Sequence, residues 1–147
     1  MTPTPKPVDF PGSTRRHLND AMLLEGSRRL HNAGHLYGYA AECGLKAILV
    51  SHGYPVDADG SPQRGQFRAH VDQLALSSTM SAMKTFLTGR SGAHYLALIP
   101  HIDDFSDWNA SHRYYSEAAV PASLDKWREA AAEVGRMLDQ ARTSGLL

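Results

Sequence analysis

HLYGYAAECGLKAILV, residues 35–50, is the stretch whose reading decides the fold. Leu36, Tyr39, Ala40, Cys43, Ala47 and Val50 recur at three- and four-residue steps and form one apolar stripe. Tyr37, Ala41, Leu45 and Ile48 form a second stripe beside it. A helix that is apolar on two adjacent faces is normally surrounded by other helices. Gly38 and Gly44 each cost this helix about 1 kcal/mol against alanine. Close approach by a neighbouring helix is the compensation expected for them. Asn32–Gly34 is expected to turn or kink the chain before this helix, and Ser51–Gly53 to end it.

Working outward, Ser13 or Thr14 suits the cap of a preceding helix that runs to about His31, since a hydroxyl there satisfies free amide donors. Leu18, Ala21, Met22, Leu24 and Leu30 supply its apolar positions. Arg15, Arg16, Asp20, Glu25, Arg28 and Arg29 are available for its wet side. On the other flank, Tyr54–Gln66 reads YPVDADGSPQRGQ, a surface loop without a periodic apolar face and a candidate functional or mobile segment. Short helices are expected over Phe67–Leu76 and Thr79–Leu87, and a further stretch over Ala93–Ile99 before Pro100. His101–Ala119 shows no pattern but carries Phe105, Trp108, Tyr114 and Tyr115. A last helix is predicted from about Ala122 to Arg142, with Pro121 at its start and Ser123 as a cap. Its seam is Leu124, Trp127, Ala131, Val134, Leu138 and Ala141. No segment alternates as a strand does, and no internal repeat is present. The expectation is an all-α protein with one domain over residues 13–147, preceded by an extended proline-rich arm over residues 1–12 with Phe10 as its anchor.

Fifteen basic residues balance fifteen acidic ones, so any polyanion must be held by a local basic patch. The single cysteine, Cys43, has no intramolecular disulfide partner, which suits a reducing compartment. No stretch is apolar enough to span a membrane, and MTPTPKPVDFPGS lacks the apolar core of a secretory signal; the expected location is cytoplasmic.

Two places carry candidate chemistry. Glu42 and Lys46 lie four residues apart inside the most apolar helix, where they share a face and can pair. They are either an exposed pair at the rim or an interior pair in which Glu42 binds a basic group from elsewhere, Arg113 being the choice. The second place is WNASHRYY, residues 108–115, where arginine among aromatics suits base stacking and phosphate contacts. The alternative there is that Trp108 and the tyrosines plug helix ends while Arg113 orients a loop. Eight histidines invite a metal site, and His31 and His35 stand four apart. Yet Asn32 occupies the place where the metalloprotease pattern needs glutamate, and no Cys-x-x-Cys or carboxylate cluster accompanies them. Neither a metal nor another cofactor is expected. Cys43 reads as core.

GYAAECGLKAIL, residues 38–49, resembles the second-helix signature of the HEPN family (higher eukaryote and prokaryote nucleotide-binding domains). The helix before it, the later WNASHRYY and the long closing helix follow the same order, so the resemblance covers about residues 13–142. It implies an up-and-down bundle of four or five helices, commonly a homodimer. It also implies business with nucleotides or RNA, or a nucleotidyltransferase-type partner, in toxin–antitoxin or defence systems. Many members are metal-independent ribonucleases with an Arg-x4–6-His motif near the start of a late helix. Here the last helix carries Arg128, Arg136 and Arg142 with no histidine after them. The spacing does occur earlier, at Arg64–His70 and from Arg28 and Arg29 to His35. A non-catalytic binding module is therefore the first expectation, with Arg113, Tyr114, Trp108 and Lys46 on the ligand and Glu42 as a structural pairing residue. A dimeric ribonuclease using Arg64 and His70 is the alternative, and a purely structural homodimer a second one.

Overall fold

The computed structural model describes residues 5–147 and is all-helical, with one isolated β-bridge between Val56 and Pro62. Three long helices make the body: α1 (Phe10–Gly26), α2 (Leu30–Ser51) and α5 (Leu124–Thr143). Between α2 and α5 lie α3 (Val71–Leu74), α4 (Ser77–Thr88) and four 3₁₀ segments over Ala93–Leu98, Ile102–Asp107, Ala110–Tyr114 and Glu117–Ala119. Among the described residues, no helix is long and apolar enough to cross a membrane.

The central helix is enclosed as its two stripes demand. α2 packs along α1 on one side and α5 on another. Tyr37, Ala41, Leu45 and Ile48 are fully enclosed, whereas Leu36, Tyr39, Cys43 and Val50 of the other stripe are half-buried. A side chain at Gly44 would collide with Val134 of α5, and one at Gly38 with the Trp108 indole. Close approach thus accounts for both glycines. In α5 the expected seam is inward: Trp127, Ala131, Val134, Leu138 and Ala141 are buried.

The structure corrects several boundaries. α1 begins at Phe10 instead of Ser13 or Thr14, because Asp9 caps it by accepting from the Gly12 amide at 3.0 Å. Thr14 is buried and its hydroxyl donates to the Phe10 carbonyl at 2.9 Å. The arm is accordingly shorter than residues 1–12, and its first four residues lie outside the described part. Phe10 packs on the core as expected, and the Val8 amide donates to the Asp59 carbonyl at 3.1 Å. No turn falls at Asn32–Gly34. The chain reverses at Ser27–Arg29, with Arg28 at φ 60°, and α2 then runs unbroken through Gly34, which faces the Trp127 ring. Met22, expected inward, is exposed because the buried face of α1 follows Thr14 and Ala21, and Leu30, expected in the same helix, is exposed at the first position of α2 after the reversal.

The 54–66 loop is a pinned reversal. Asp57 and Ser61 pair through their backbones at 2.8 Å, and the Asp59 carboxylate accepts from the Ser61 amide and hydroxyl. The Phe67–Leu76 helix contracts to the single turn of α3. The region over 101–119 is 3₁₀ where no pattern was apparent. Ser123 stands at the N-cap of α5, but its hydroxyl donates to Asp107 instead of capping the helix. Asp107 also accepts from the Trp127 indole at 2.9 Å, which ties this region to α5.

Candidate functional site

His35, Tyr39, Glu42 and Lys46 stand at steps of four, three and four, which puts all of them along one face of α2. The middle of this face is covered by Trp108, which is 1% exposed and stacks on His35 with centroids 5.0 Å apart. Tyr39 meets His35 edge-on at 4.9 Å and Trp108 at 5.4 Å. His17 of α1 approaches the other side of Tyr39 at 5.9 Å.

Glu42 and Lys46 are an interior pair, 8% and 7% exposed, joined at 2.9 Å. The remaining Glu42 oxygen lies 2.8 Å from His70 Nδ1. A carboxylate only accepts in such a contact, and the Nδ1 edge of the ring is the one turned to Glu42, with Nε2 on the other side. His70 is set where it is by α3: its carbonyl accepts from Gln73 and Leu74, while Val71 and Leu74 bury the turn. Its side chain is 51% exposed, and its ring sits 6.0 Å from Tyr39 and 6.2 Å from Trp108.

Arg113 arrives from the 3₁₀ turn Ala110–Tyr114, which Asn109 caps by accepting from the Ser111 amide at 2.8 Å. Its guanidinium donates to the Tyr39 hydroxyl at 3.2 Å and lies 4.8 Å over the ring of Tyr114, which is 77% exposed. Tyr39 therefore stands between the exposed cation and the exposed imidazole.

These positions revise the sequence expectations residue by residue. The basic partner of Glu42 is His70 together with Lys46, not Arg113, because the N-cap position of α3 places His70 on this face while Arg113 is taken by Tyr39. Lys46 is buried against Glu42 and is not presented to an outside ligand. Trp108 is a plug on α2, not a stacking platform. Arg64 lies in an exposed bend, and among the described residues no hydrogen bond or ion pair joins it to His70. Arg113, Tyr114 and His70 are presented to solvent. Tyr39 was absent from the candidates, and His35 entered only as a possible metal ligand and as a spacing match to Arg28 and Arg29, because both fall in an apolar helix; the 35, 39, 42, 46 spacing was the available signal.

The electrostatics separate buried from presented groups. Among the described residues, both ring nitrogens of His35, the Trp108 indole nitrogen and His112 Nδ1 are enclosed without a hydrogen-bond partner. Burial, then the Arg113 charge, holds His35 below the ordinary imidazole range, and burial does the same to His112. Burial and then the Glu42 charge push the Cys43 thiol up to about 12, so it is not a nucleophile near neutral pH. A cleft of about 90 Å³ opens beside His35, His112 and Arg113, room for water or a small polar group. Among the described residues, no group of three or more His, Cys, Asp or Glu side chains converges to hold a metal ion.

The fold and this face define an all-helical protein with a histidine–carboxylate pair beside an exposed arginine. The chain matches no protein-family model, no curated protein and no solved structure.

Proposed function

We propose that the chain is a HEPN-like helical module that engages a phosphate-bearing nucleotide or RNA on the face formed by Tyr39, His70, Arg113 and Tyr114. One observation carries this reading: the Arg113 guanidinium is exposed yet held, by the Tyr39 hydroxyl at 3.2 Å and by the Tyr114 ring. A guanidinium of fixed orientation is suited to phosphate oxygens, and an exposed tyrosine beside it to an unstacked base. The family resemblance of residues 38–49 supports the same class of ligand. It also supports a homodimer, a nucleotidyltransferase-type protein partner and a cytoplasmic toxin–antitoxin or defence setting.

The test is binding of a labelled single-stranded oligoribonucleotide in chelator at several salt concentrations. Arg113→Ala is expected to weaken binding and to make the log–log salt slope shallower by about 0.7, one phosphate contact on a single strand. Unchanged affinity and slope in that variant overturn the assignment.

A second reading, a metal-independent ribonuclease, is favoured by the hydrogen bond from His70 to Glu42. In that reaction His70 Nε2 accepts the proton of a ribose 2′-hydroxyl. The 2′-oxygen bonds to phosphorus as the bond to the 5′-oxygen breaks, that oxygen takes its proton from solvent water, and the imidazolium returns its proton to the hydroxide so formed. The products are a 2′,3′-cyclic phosphate and a 5′-hydroxyl, with Arg113 facing the phosphoryl charge. Cleavage in chelator that disappears in His70→Ala while binding persists selects this reading over pure binding.

A further inference from the structure

We infer that Glu42 is a positioning residue for His70: backed by Lys46, it fixes the Nδ1–H tautomer and leaves Nε2 as the basic atom on the Tyr39–Arg113 face. His70 is then the proton-transfer group of this face, and Arg113, not Arg64, is its anion-binding companion. The ligand half of this inference rests on the reading of that face as a phosphate site, whereas the tautomer half stands without any ligand.

Three observations converge on it. First, a salt bridge made only to hold α2 together is complete with Glu42 and Lys46, both buried and 2.9 Å apart. The second carboxylate oxygen is instead spent on a half-exposed imidazole 28 residues away in sequence. Second, the imidazole is confined by Tyr39 on one side and Trp108 on another, and its backbone is anchored by α3. It therefore has little freedom to present its other nitrogen to Glu42. Third, Lys46 supplies the counter-charge to the Glu42 carboxylate inside the core, so the second oxygen is free to accept. When Nε2 takes a proton, the resulting imidazolium faces a carboxylate already in place. No other side chain is hydrogen-bonded to His70 among the described residues.

The arrangement is complete within one chain. α2 supplies Tyr39, Glu42 and Lys46, the N-cap residue of α3 the imidazole, and the 110–114 turn the guanidinium. Arg64 precedes the turn that carries His70, and it stays in the solvent-facing bend.

Nitrogen NMR of the histidine rings in the intact chain, above the titration range of free imidazole, tests the tautomer. The His70 signal is assigned by its loss in His70→Gln. Wild type is expected to show a protonated Nδ1 and a lone-pair Nε2, the reverse of the form free histidine prefers. Glu42→Gln alone leaves a buried ammonium and risks unfolding, so the decisive variant is the double replacement Glu42→Leu with Lys46→Met, which removes both charges. It is expected to keep its helical circular dichroism while the His70 tautomer moves to Nε2–H. An Nε2–H ring in wild type, or a folded double variant with an unmoved tautomer, overturns the inference.

Inorganic phosphate is the probe for the companion arginine. It is expected to shift His70 in wild type and in Arg64→Ala but not in Arg113→Ala. Loss of the response in Arg64→Ala instead overturns the choice of arginine. No response in wild type overturns the phosphate reading, and the tautomer measurement then decides the role of Glu42 by itself. If RNA is cleaved, the double variant is expected to lower kcat at least tenfold with KM little changed, a split that loss of packing alone does not give.

Discussion

The α1–α2–α5 body and the 93–119 region both bury large side chains, but they do so by different means. In the body, long helices bury whole faces against one another, and away from their ends the backbone hydrogen bonds close within each helix. In the 93–119 region three short 3₁₀ turns and the 117–119 turn lie on the body like tiles, pinned by Tyr95, Ile99, Ile102, Phe105 and Trp108. Ile99, Ile102, Phe105 and Trp108 recur every three residues, which is the 3₁₀ repeat and aligns them inward. Short turns of poorer hydrogen-bond geometry depend on such anchors, whereas a 22-residue helix does not depend on any single one. The lesson is functional: the arginine of the candidate site rides on the tile, and the histidine's carboxylate sits in the body.

That contrast is open to experiment, beginning with the largest effect. Leu45→Ala removes a fully enclosed side chain from the body and is expected to cost about 4 kcal/mol of global stability, in the upper part of the range for buried leucine. Chemical denaturation measures it, and a loss under about 1 kcal/mol would break the claim that the body is the cooperative unit. Trp108→Ala is expected to cost about 3 kcal/mol. Its signature should be local, with amides of residues 102–115 exchanging faster while those of residues 37–49 keep their protection. Uniform acceleration across both regions would show that the tile and the body open together.

Acidification should have a smaller effect with a definite sign. His35, His112 and His17 are held below the ordinary value of 6.5, with burial the first cause in each. The unfolded chain then binds more protons than the folded one, so their contribution is intact above pH 6.5 and is lost as pH falls through the lowered folded values. His101 has the opposite shift, raised by its hydrogen bond to Glu133 at 2.7 Å; its contribution is present below pH 6.5 and fades as pH rises. It is one exposed ring against three partly buried ones, so the melting temperature is expected to drop between pH 7.5 and 5. A melting temperature that rises over that interval would reverse the ranking of these groups. Smallest of all, Arg15→Ala breaks the exposed 2.9 Å pair with Asp139 that links α1 to α5. A change within about 0.5 kcal/mol is expected, because solvent screens such a pair.

Legibility followed the period of each element. α2 and α5 were readable because a repeat near 3.6 sustained over many residues is hard to produce by accident. The 99–119 region was not, because its three-residue repeat is short, is interrupted by Pro100 and stops at Trp108, before the loop residues near Asn109. The start of α1 is hidden because Asp9 and Pro11 form a cap within a stretch whose prolines argue for an extended arm. The site was half legible. Glu42, Arg113 and Tyr114 stand out from composition and spacing and His70 from the family resemblance; spacing gave Glu42 its partner Lys46, but the more distant partner expected for it, Arg113, is His70 instead, and Tyr39 counted only as core.

By itself the sequence determined the helical class, the buried central helix, its two close-packing glycines and the pairing of Glu42 with Lys46. The helical class, the buried helix and the Glu42–Lys46 pairing depend on residues within about one or two turns of each other, where helix geometry leaves little choice, and the glycines announce close packing although Trp108 and Val134 supply it from afar. Only the tertiary structure decided that His70 occupies the second oxygen of Glu42, that Tyr39 holds Arg113, and that Trp108 is a plug. Those contacts span 28 to 74 residues of chain, and they depend on where α3 and the 3₁₀ turns come to rest on the body. No local period encodes that docking, since it is set by which large side chains fill the space left over α2.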